Sequence, residues 1–391
     1  EIGVRLVGSE MCIRDSLSES KAKVLSCTKS PKGYEIILDS TIFYPMGGGQ
    51  YGDQGYILDS FGKRVDISDT YIKNNYVVHL GNDFLDEGSE VKIFIDWELR
   101  YARMQEHSGE HIISGLVTKY FGYQNVGFHM GNDEITIDYN GVIPKESLDK
   151  IEIEANKIIY ENLPIEIYYP SEEELKNINY RSKKELSGII RIVEIKGVDI
   201  CACCGTHVKL TGEIGLIHFT NIINYKGGSR ISLQIGINAL KDYIKKDNIL
   251  TDINQTLSST NNEVGERVKD LVSKLDAAKF ETLNYQKKYV ELLFSNTYDE
   301  KIHFTKVNDI EPKIITSMID SYVENTDIFV VVNERGSKKL CTIASRKIDL
   351  KQSLRKLAER GILKGGGSSK MIQGELLSDS ESLVEVIKNE V

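Results

Sequence analysis

No apolar run in this chain approaches the ~18 residues that a membrane-crossing helix needs, so no membrane span and no membrane partner are expected. Cysteine is scarce. Six in 391 residues are too few for a disulfide scaffold. An excess of cations is missing as well: the formal net charge is −9, which argues against a protein coated in nucleic acid but leaves room for a local basic face. Residues 1–16 have no methionine start, no charged-then-apolar leader and no periodicity, so they do not read as a signal peptide. They read as a non-native, adaptor-derived segment and are set aside, Cys12 with them.

The rest has ordinary globular composition, 40% hydrophobic and 27% charged, with length for several domains and a sizeable core. Short strand-like runs at 23–27, 34–39, 56–58, 65–67, 76–80 and 90–96 predict a small antiparallel β-barrel over 17–98. Within it, 40–55 is rich in glycine. Gly47, Gly48 and Gly49 permit positive φ and close approach to a ligand, or else form a tight barrel corner. Residues 99–243 mix a helix at 98–121, stopped by Gly122, with strands at 126–139, 165–169, 189–195, 211–221 and 229–236 and a second helix at 145–160. That is an α+β domain. Residues 244–295 predict a long helix or helical hairpin. Val264, Val268, Leu271, Leu275, Ala278, Thr282, Tyr285, Tyr289 and Leu292 recur at heptad spacing, an apolar seam for another helix or a second chain. Residues 296–391 predict an α/β domain: a helix at 314–323, strands at 328–333 and 340–344, a helix at 350–360 and a glycine-rich loop at 361–370. Its basic run, Lys338 to Lys370, has only Asp349 and Glu359 as acidic neighbours in sequence. It is either a solvated surface or a phosphate-binding one.

Two short motifs carry chemistry. In His107-Ser-Gly-Glu-His111 the imidazoles are four apart, on one face of a helix. Cys203 and His207 repeat that spacing, in a cluster with Cys201 and Cys204. Two His, one Cys and a further His make an ordinary tetrahedral Zn²⁺ set. Cys203 keeps the spacing best, with Cys201 and Cys204 as alternatives. The first motif also fits H-x-x-E-H, with Glu110 as the base of a zinc peptidase. That scheme needs a carboxylate as third ligand and has no place for the glycine loop.

Taken in order, Phe43 to Gly55, His107 to His111, Cys203 to His207, Thr211 to Gly215, Lys226 to Ile231 and Lys364 to Gly374 resemble the alanyl-tRNA editing proteins, relatives of the editing and C-terminal regions of alanyl-tRNA synthetase. Cys204 stands where that family often has glycine. The resemblance implies a cytoplasmic, zinc-dependent hydrolase that deacylates mischarged tRNA for alanine, chiefly the seryl and also the glycyl form. It implies one zinc per chain, held by His107, His111, Cys203 and His207, with Glu110 and Gln50 in catalytic roles. Gly47, Gly48, Gly49, Gln50, Arg230, Lys364, Gly365, Gly366 and Gly367 would contact the tRNA, and the helical and C-terminal regions would pair two chains. Glu110 would orient an imidazole or lie exposed on its helix, and His129 would line the pocket or fill the core. The alternatives are a zinc-stabilised tRNA-binding module without hydrolytic activity and, more remotely, the peptidase.

Overall fold

The computed structural model describes residues 15–131, 134–182, 189–295 and 301–388. It divides into two compact units, Glu1–Leu250 and Thr251–Val391. The first opens with β1 (Glu19–Ser30), β2 (Gly33–Leu38), β3 (Gly55–Asp59), β4 (Arg64–Lys73), β5 (Tyr76–Gly81) and β6 (Glu90–Ile95). These close into a barrel in the order β1-β2-β5-β4-β3-β6, antiparallel throughout. Period-two alternation turns Val24, Ile36, Ile57, Val65 and Ile93 inward.

Helix α1 (Trp97–Phe121) follows directly. The Asp96 side chain caps it, accepting from the Leu99 N–H, and Gly122 ends it in the left-handed region at φ 69°. Every residue from Arg103 to Val117 is buried, the polar ones included. A helix buried all round does not show the one-sided stripe of a surface helix, and its polar side chains must find partners inside the protein.

Around α1 lie β7 (Asn125–Met130), β8 (Ile135–Tyr139), α2 (Leu148–Glu161), β9 (Ile165–Tyr168), α3 (Glu172–Leu175), β10 (Ile192–Ile195), β11 (Asp199–Ala202), β12 (Ile217–Tyr225) and β13 (Gly228–Ile235). The strands form a β12-β13-β8-β7 sheet and a β11-β10-β9 sheet. Helix α1 packs on both, through β7 and β13 of the first and β11 of the second. The strand expected over 211–221 starts late. Thr211–Ile214 is a 3₁₀ turn, and β12 begins at Ile217 after Gly215 at φ 86°. Thr211 holds the turn by donating from Oγ1 to the Ile158 carbonyl at 2.8 Å.

The helical region is two helices, α4 (Ile237–Leu257) and α5 (Val264–Ser295). Ser258 at φ 49° breaks the run, and Thr260 Oγ1 donates to Glu263 Oε2 at 2.9 Å to start the second helix. Leu271, Leu275, Tyr285, Tyr289 and Leu292 of the expected seam are exposed, whereas Val290 and Phe294, off the seam, enter the core of the second unit.

That unit contains β14 (Ile302–Asn308), α6 (Pro312–Tyr322), β15 (Ile328–Arg335), β16 (Lys338–Ala344), α7 (Leu350–Glu359), β17 (Leu363–Gly367), β18 (Met371–Leu376) and α8 (Ser380–Lys388). Its sheet runs β14-β15-β16-β18-β17. Only β14 and β15 pair in parallel. The glycine-rich loop expected at 361–370 is largely the edge strand β17. A Cβ at Gly365 would meet the Gln373 carbonyl oxygen at 2.0 Å, so close strand approach is what demands glycine there. Acids outside the run meet part of it: Arg346 pairs with Asp320, Lys347 with Asp327 and Lys339, across the β15–β16 hairpin, with Glu334. Among the described residues no helix is long and apolar enough to cross a membrane.

Candidate metal centre

Helix α1 supplies His107 and His111, and the loop after β11 supplies Cys203 and His207. Their ligand atoms lie within 4.8 Å of one another. Cys203 Sγ is 3.4 Å from His107 Nε2 and 3.4 Å from His207 Nε2. Tetrahedral zinc, with Zn–S of about 2.3 Å and Zn–N of about 2.0 Å, separates sulfur and nitrogen by about 3.5 Å. The donor set and its spacing therefore fit zinc. Burial works against a Cys203 thiolate, but the His107 and His207 imidazoles outweigh it and hold the thiol well below its ordinary value. Burial pushes the Cys201 thiol up, and Cys204 is exposed. Geometry and charge thus separate the three cysteines where spacing left them open.

Each imidazole has a second partner at Nδ1. Gln50 Oε1 lies 3.1 Å from His107 Nδ1 and Ser108 Oγ 3.2 Å from His207 Nδ1. Asp199 Oδ2 lies 2.9 Å from His111 Nδ1, although that nitrogen has no well-aligned hydrogen bond. With Nδ1 engaged in this way, Nε2 is the nitrogen left to hold a metal. Burial pulls His207 down to about 3. Burial also works against the His111 imidazolium, but Asp199 and Cys203 overcome it and raise that group to about 10.

Gln50 comes from the barrel's glycine turn. Gly47 and Gln50 exchange both backbone hydrogen bonds at 3.0 Å, with Gly48 at φ 62° and Gly49 at φ 88° between them. Positive φ at both central positions is the type I′ geometry that favours glycine. A Cβ on Gly49 would also strike the Phe128 carbonyl oxygen at 2.4 Å. Gln50 is buried, and its Nε2 donates to Thr206 Oγ1 at 2.9 Å. Behind the turn, Asp53 accepts from the Tyr44 N–H at 2.6 Å and from Arg100 Nε at 3.0 Å, while Arg100 Nη2 donates to the Ile42 carbonyl at 2.8 Å. Arg100 Nη2 and Asp53 Oδ2 also form a closer ion pair, with both side chains buried. Arg103 donates to the Gly52 carbonyl at 2.6 Å. This network clamps the barrel loop to α1.

Glu110 is buried rather than exposed. Its Oε1 accepts from Ser114 Oγ at 2.6 Å and from Asn125 Nδ2, and its Oε2 lies 3.8 Å from His111 Nε2. His129 is exposed on β7 and neither lines the cluster nor fills the core; its neighbour Phe128 puts its ring 5.4 Å from that of His107. Arg230 makes a two-point ion pair with Asp138, at 2.6 and 2.8 Å, and stacks on Tyr225. Lys364 to Gly367 lie in β17 of the second unit.

Several residues of this centre lie outside the sequence motifs: Arg100, Phe128, Arg181, Arg191 and Asp199; Asp53, Ser108 and Thr206 lie within them but carry no role that spacing assigns. Arg191 donates to the Cys203 carbonyl at 2.9 Å and the Gly205 carbonyl at 2.8 Å. It pairs with Asp15, which also accepts from the His207 N–H at 3.1 Å. Asp15 was set aside with residues 1–16, of which 1–14 lie outside the described residues. Gly205 is the one signal the motif did offer, since a Cβ there would meet His107 Cε1 at 2.0 Å.

Glu106, beside this centre, offers a pH test. Burial raises its carboxyl to about 7, against the lowering effects of Asn238 and Arg103. The folded state then holds a proton that the unfolded chain releases near 4.5. Stability from this group is therefore complete below pH 4.5 and is lost as pH rises to about 7. Glu106→Gln keeps an acceptor for Asn238 and is expected to stabilise the protein at pH 8 by up to about 3 kcal/mol. Urea unfolding of both proteins at pH 5 and 8 checks this; an equal difference at the two pH values refutes it.

The synthetase type of this assembly is carried by two family models. One, tRNA synthetases class II (A), matches residues 13–99, the barrel with its glycine turn. The other, the second additional domain of threonyl and alanyl tRNA synthetases, matches residues 190–235, which include Cys203 and His207. The alanyl-tRNA editing protein AlaX-L of Pyrococcus horikoshii is 30% identical over 95% of this chain and 95% of its own length. The chain belongs to the alanyl-tRNA editing protein family, AlaX, in its long form. It is also 29% identical to the alanine–tRNA ligase of Methanococcus maripaludis over 94% of this chain but only 42% of the ligase. The solved C-Ala domain from Aquifex aeolicus alanyl-tRNA synthetase matches 24% of this chain and 93% of that domain, at 19% identity and a TM-score of 0.21, too low to bear on fold.

Proposed function

We propose that this protein edits tRNA for alanine in trans, hydrolysing the ester of a mischarged, chiefly seryl, tRNA at the His107, His111, Cys203 and His207 centre. The observation that carries the reading is the convergence of those four ligand atoms within 4.8 Å, in a chain of this family. An aminoacyl ester is already activated, so a held water and a polarised carbonyl suffice. Zinc, when bound, supplies the positive charge for that polarisation. The chain orients three imidazoles and holds Cys203 as thiolate. Glu110, with Oε1 fixed and Oε2 facing His111, takes the proton of the water. Gln50 holds His107 in place, so its contribution to catalysis runs through that ring. Gly47, Gly48 and Gly49 border the acceptor end, while Arg230 and Lys364 to Gly367 contact the tRNA body. A pocket that hydrogen-bonds the serine hydroxyl rejects alanine, because alanine leaves its polar groups unpaired.

Purified protein should release serine from serine-charged alanine tRNA and spare the alanine-charged form, with release lost in chelator and regained with zinc. Binding of tRNA without release would favour the non-hydrolytic module. Glu110→Gln should lower the rate by about 10²-fold or more while zinc stays bound; a rate within about threefold of the parent removes Glu110 from the mechanism. The exposed Leu271, Leu275, Tyr285, Tyr289 and Leu292 seam fits a homodimer in the cytoplasm. Light scattering at micromolar concentration should give twice the chain mass, and a monomer refutes that.

A further inference from the structure

The three imidazoles are not held alike. Neutral groups, the Gln50 amide and the Ser108 hydroxyl, face Nδ1 of His107 and His207. At His111 the facing group is a carboxylate, Asp199, at 2.9 Å. Arg181 grips that carboxylate at two points, Nε to Oδ1 at 2.6 Å and Nη2 to Oδ2 at 2.8 Å. The side chains of His111 and Asp199 are only 1% and 2% exposed and that of Arg181 10%, so water screens little of this chain of charges. Arg181 is itself tied by its backbone to the strand bearing Asp199: its N–H donates to the Ile200 carbonyl at 2.8 Å, and its carbonyl accepts from the Ala202 N–H at 2.9 Å. One turn beyond His111, Gly115 lets α1 come close enough for the contact, since a Cβ there would meet the Val198 carbonyl oxygen at 2.4 Å and Asp199 Cβ at 3.1 Å.

His111, Asp199 and Cys201 also form a group whose ligand atoms lie within 4.8 Å of one another. A second metal there is disfavoured. Both Asp199 oxygens are held by Arg181, and His111, which faces Asp199 through Nδ1, would have to lose its remaining N–H proton to serve two metals.

We propose that Asp199, clamped by Arg181, is a positioning residue that presents His111 Nε2 to the metal and sets how tightly the centre retains it. The inference rests on the zinc reading above.

The test uses the full-length chain and zinc itself, with affinity measured by chelator competition. Asp199→Asn is expected to weaken zinc binding about 10- to 100-fold, as loss of such outer partners typically does. That change also strips Arg181 of its counter-ion, so the decisive variant is Asp199→Asn with Arg181→Gln, which removes both charges. It should recover the metal-free unfolding midpoint while its zinc affinity stays low. With cobalt in place of zinc, the thiolate charge-transfer band of Cys203 should persist and the d–d bands should shift. A folded double variant that binds zinc as tightly as the parent, with an unchanged cobalt spectrum, overturns the proposal and leaves the zinc centre standing. Should the double variant not fold, Asp199→Asn with the parent's affinity overturns it equally. A parent chain that takes up no zinc overturns both this proposal and the reading beneath it.

Discussion

Replacing Cys203 by alanine is expected to abolish release of serine from mischarged alanine tRNA and to leave the purified chain with little zinc. Cys203 is the one sulfur ligand of the proposed centre, and its charge is the one that His107 and His207 face. Without it the set falls to three imidazoles, and a binding free energy of about 10–16 kcal/mol for a full structural zinc site loses one of its four bonds. Cys204 is exposed, and its sulfur is not among the ligand atoms that converge. Cys201 sits instead on the His111–Asp199 side. The expected fall in rate is at least about 10²-fold, with a parallel fall in zinc per chain by elemental analysis. Rates within about threefold of the parent, or full zinc content with Cys203 gone, would falsify the ligand assignment.

The second large effect is on stability. Asp53→Ala is expected to cost about 3–5 kcal/mol, the usual consequence of leaving one member of a buried ion pair alone. Arg100 is fully buried and would lose its counter-ion, while the Tyr44 N–H would lose its acceptor. For a unit of about 250 residues each kcal/mol moves the unfolding midpoint by about 2–4 °C, so a fall on the order of 10 °C should appear in differential scanning calorimetry. Activity should fall even well below that midpoint, because the clamp holds the turn that brings Gln50 to His107. Asp53→Ala/Arg100→Met, with the closest ion pair removed whole and Arg103 still held by the Gly52 carbonyl, should regain much of the stability but not the activity. If the midpoint of Asp53→Ala moves by less than about 2 °C, the clamp is not what joins barrel to helix.

The elements governed by local periodicity were readable in advance. Alternating short runs announced the barrel, and the stop at Gly122 marked the end of α1. The spacing of His107 and His111 needs nothing beyond the 3.6-residue turn to place both rings on one face. Less was legible where local pattern and tertiary demand diverge. The glycines at 361–370 look like a ligand loop, but their absence of side chains serves a strand pressed against its neighbour. Nothing local to Arg230 announces that Asp138, 92 residues away, pairs with it. Glu110 on a helix of mixed composition gives no hint that the helix is enclosed from Arg103 to Val117.

The sequence by itself determined the chemical inventory: which helix carries the paired imidazoles, which segment carries the thiol and third imidazole, and which family arranges them in that order. Those follow from residue type and spacing, both local. Only the tertiary structure decided that Cys203 faces the imidazoles, that Gln50 reaches into the centre from another layer of the fold, and that Asp199 backs His111. These partners are 57 to 156 residues apart for Gln50 and joined through packing between elements. No period in the chain records such contacts, because they depend on how closely two backbones approach. At Gly205 and Gly115 the missing Cβ is what lets them approach that closely.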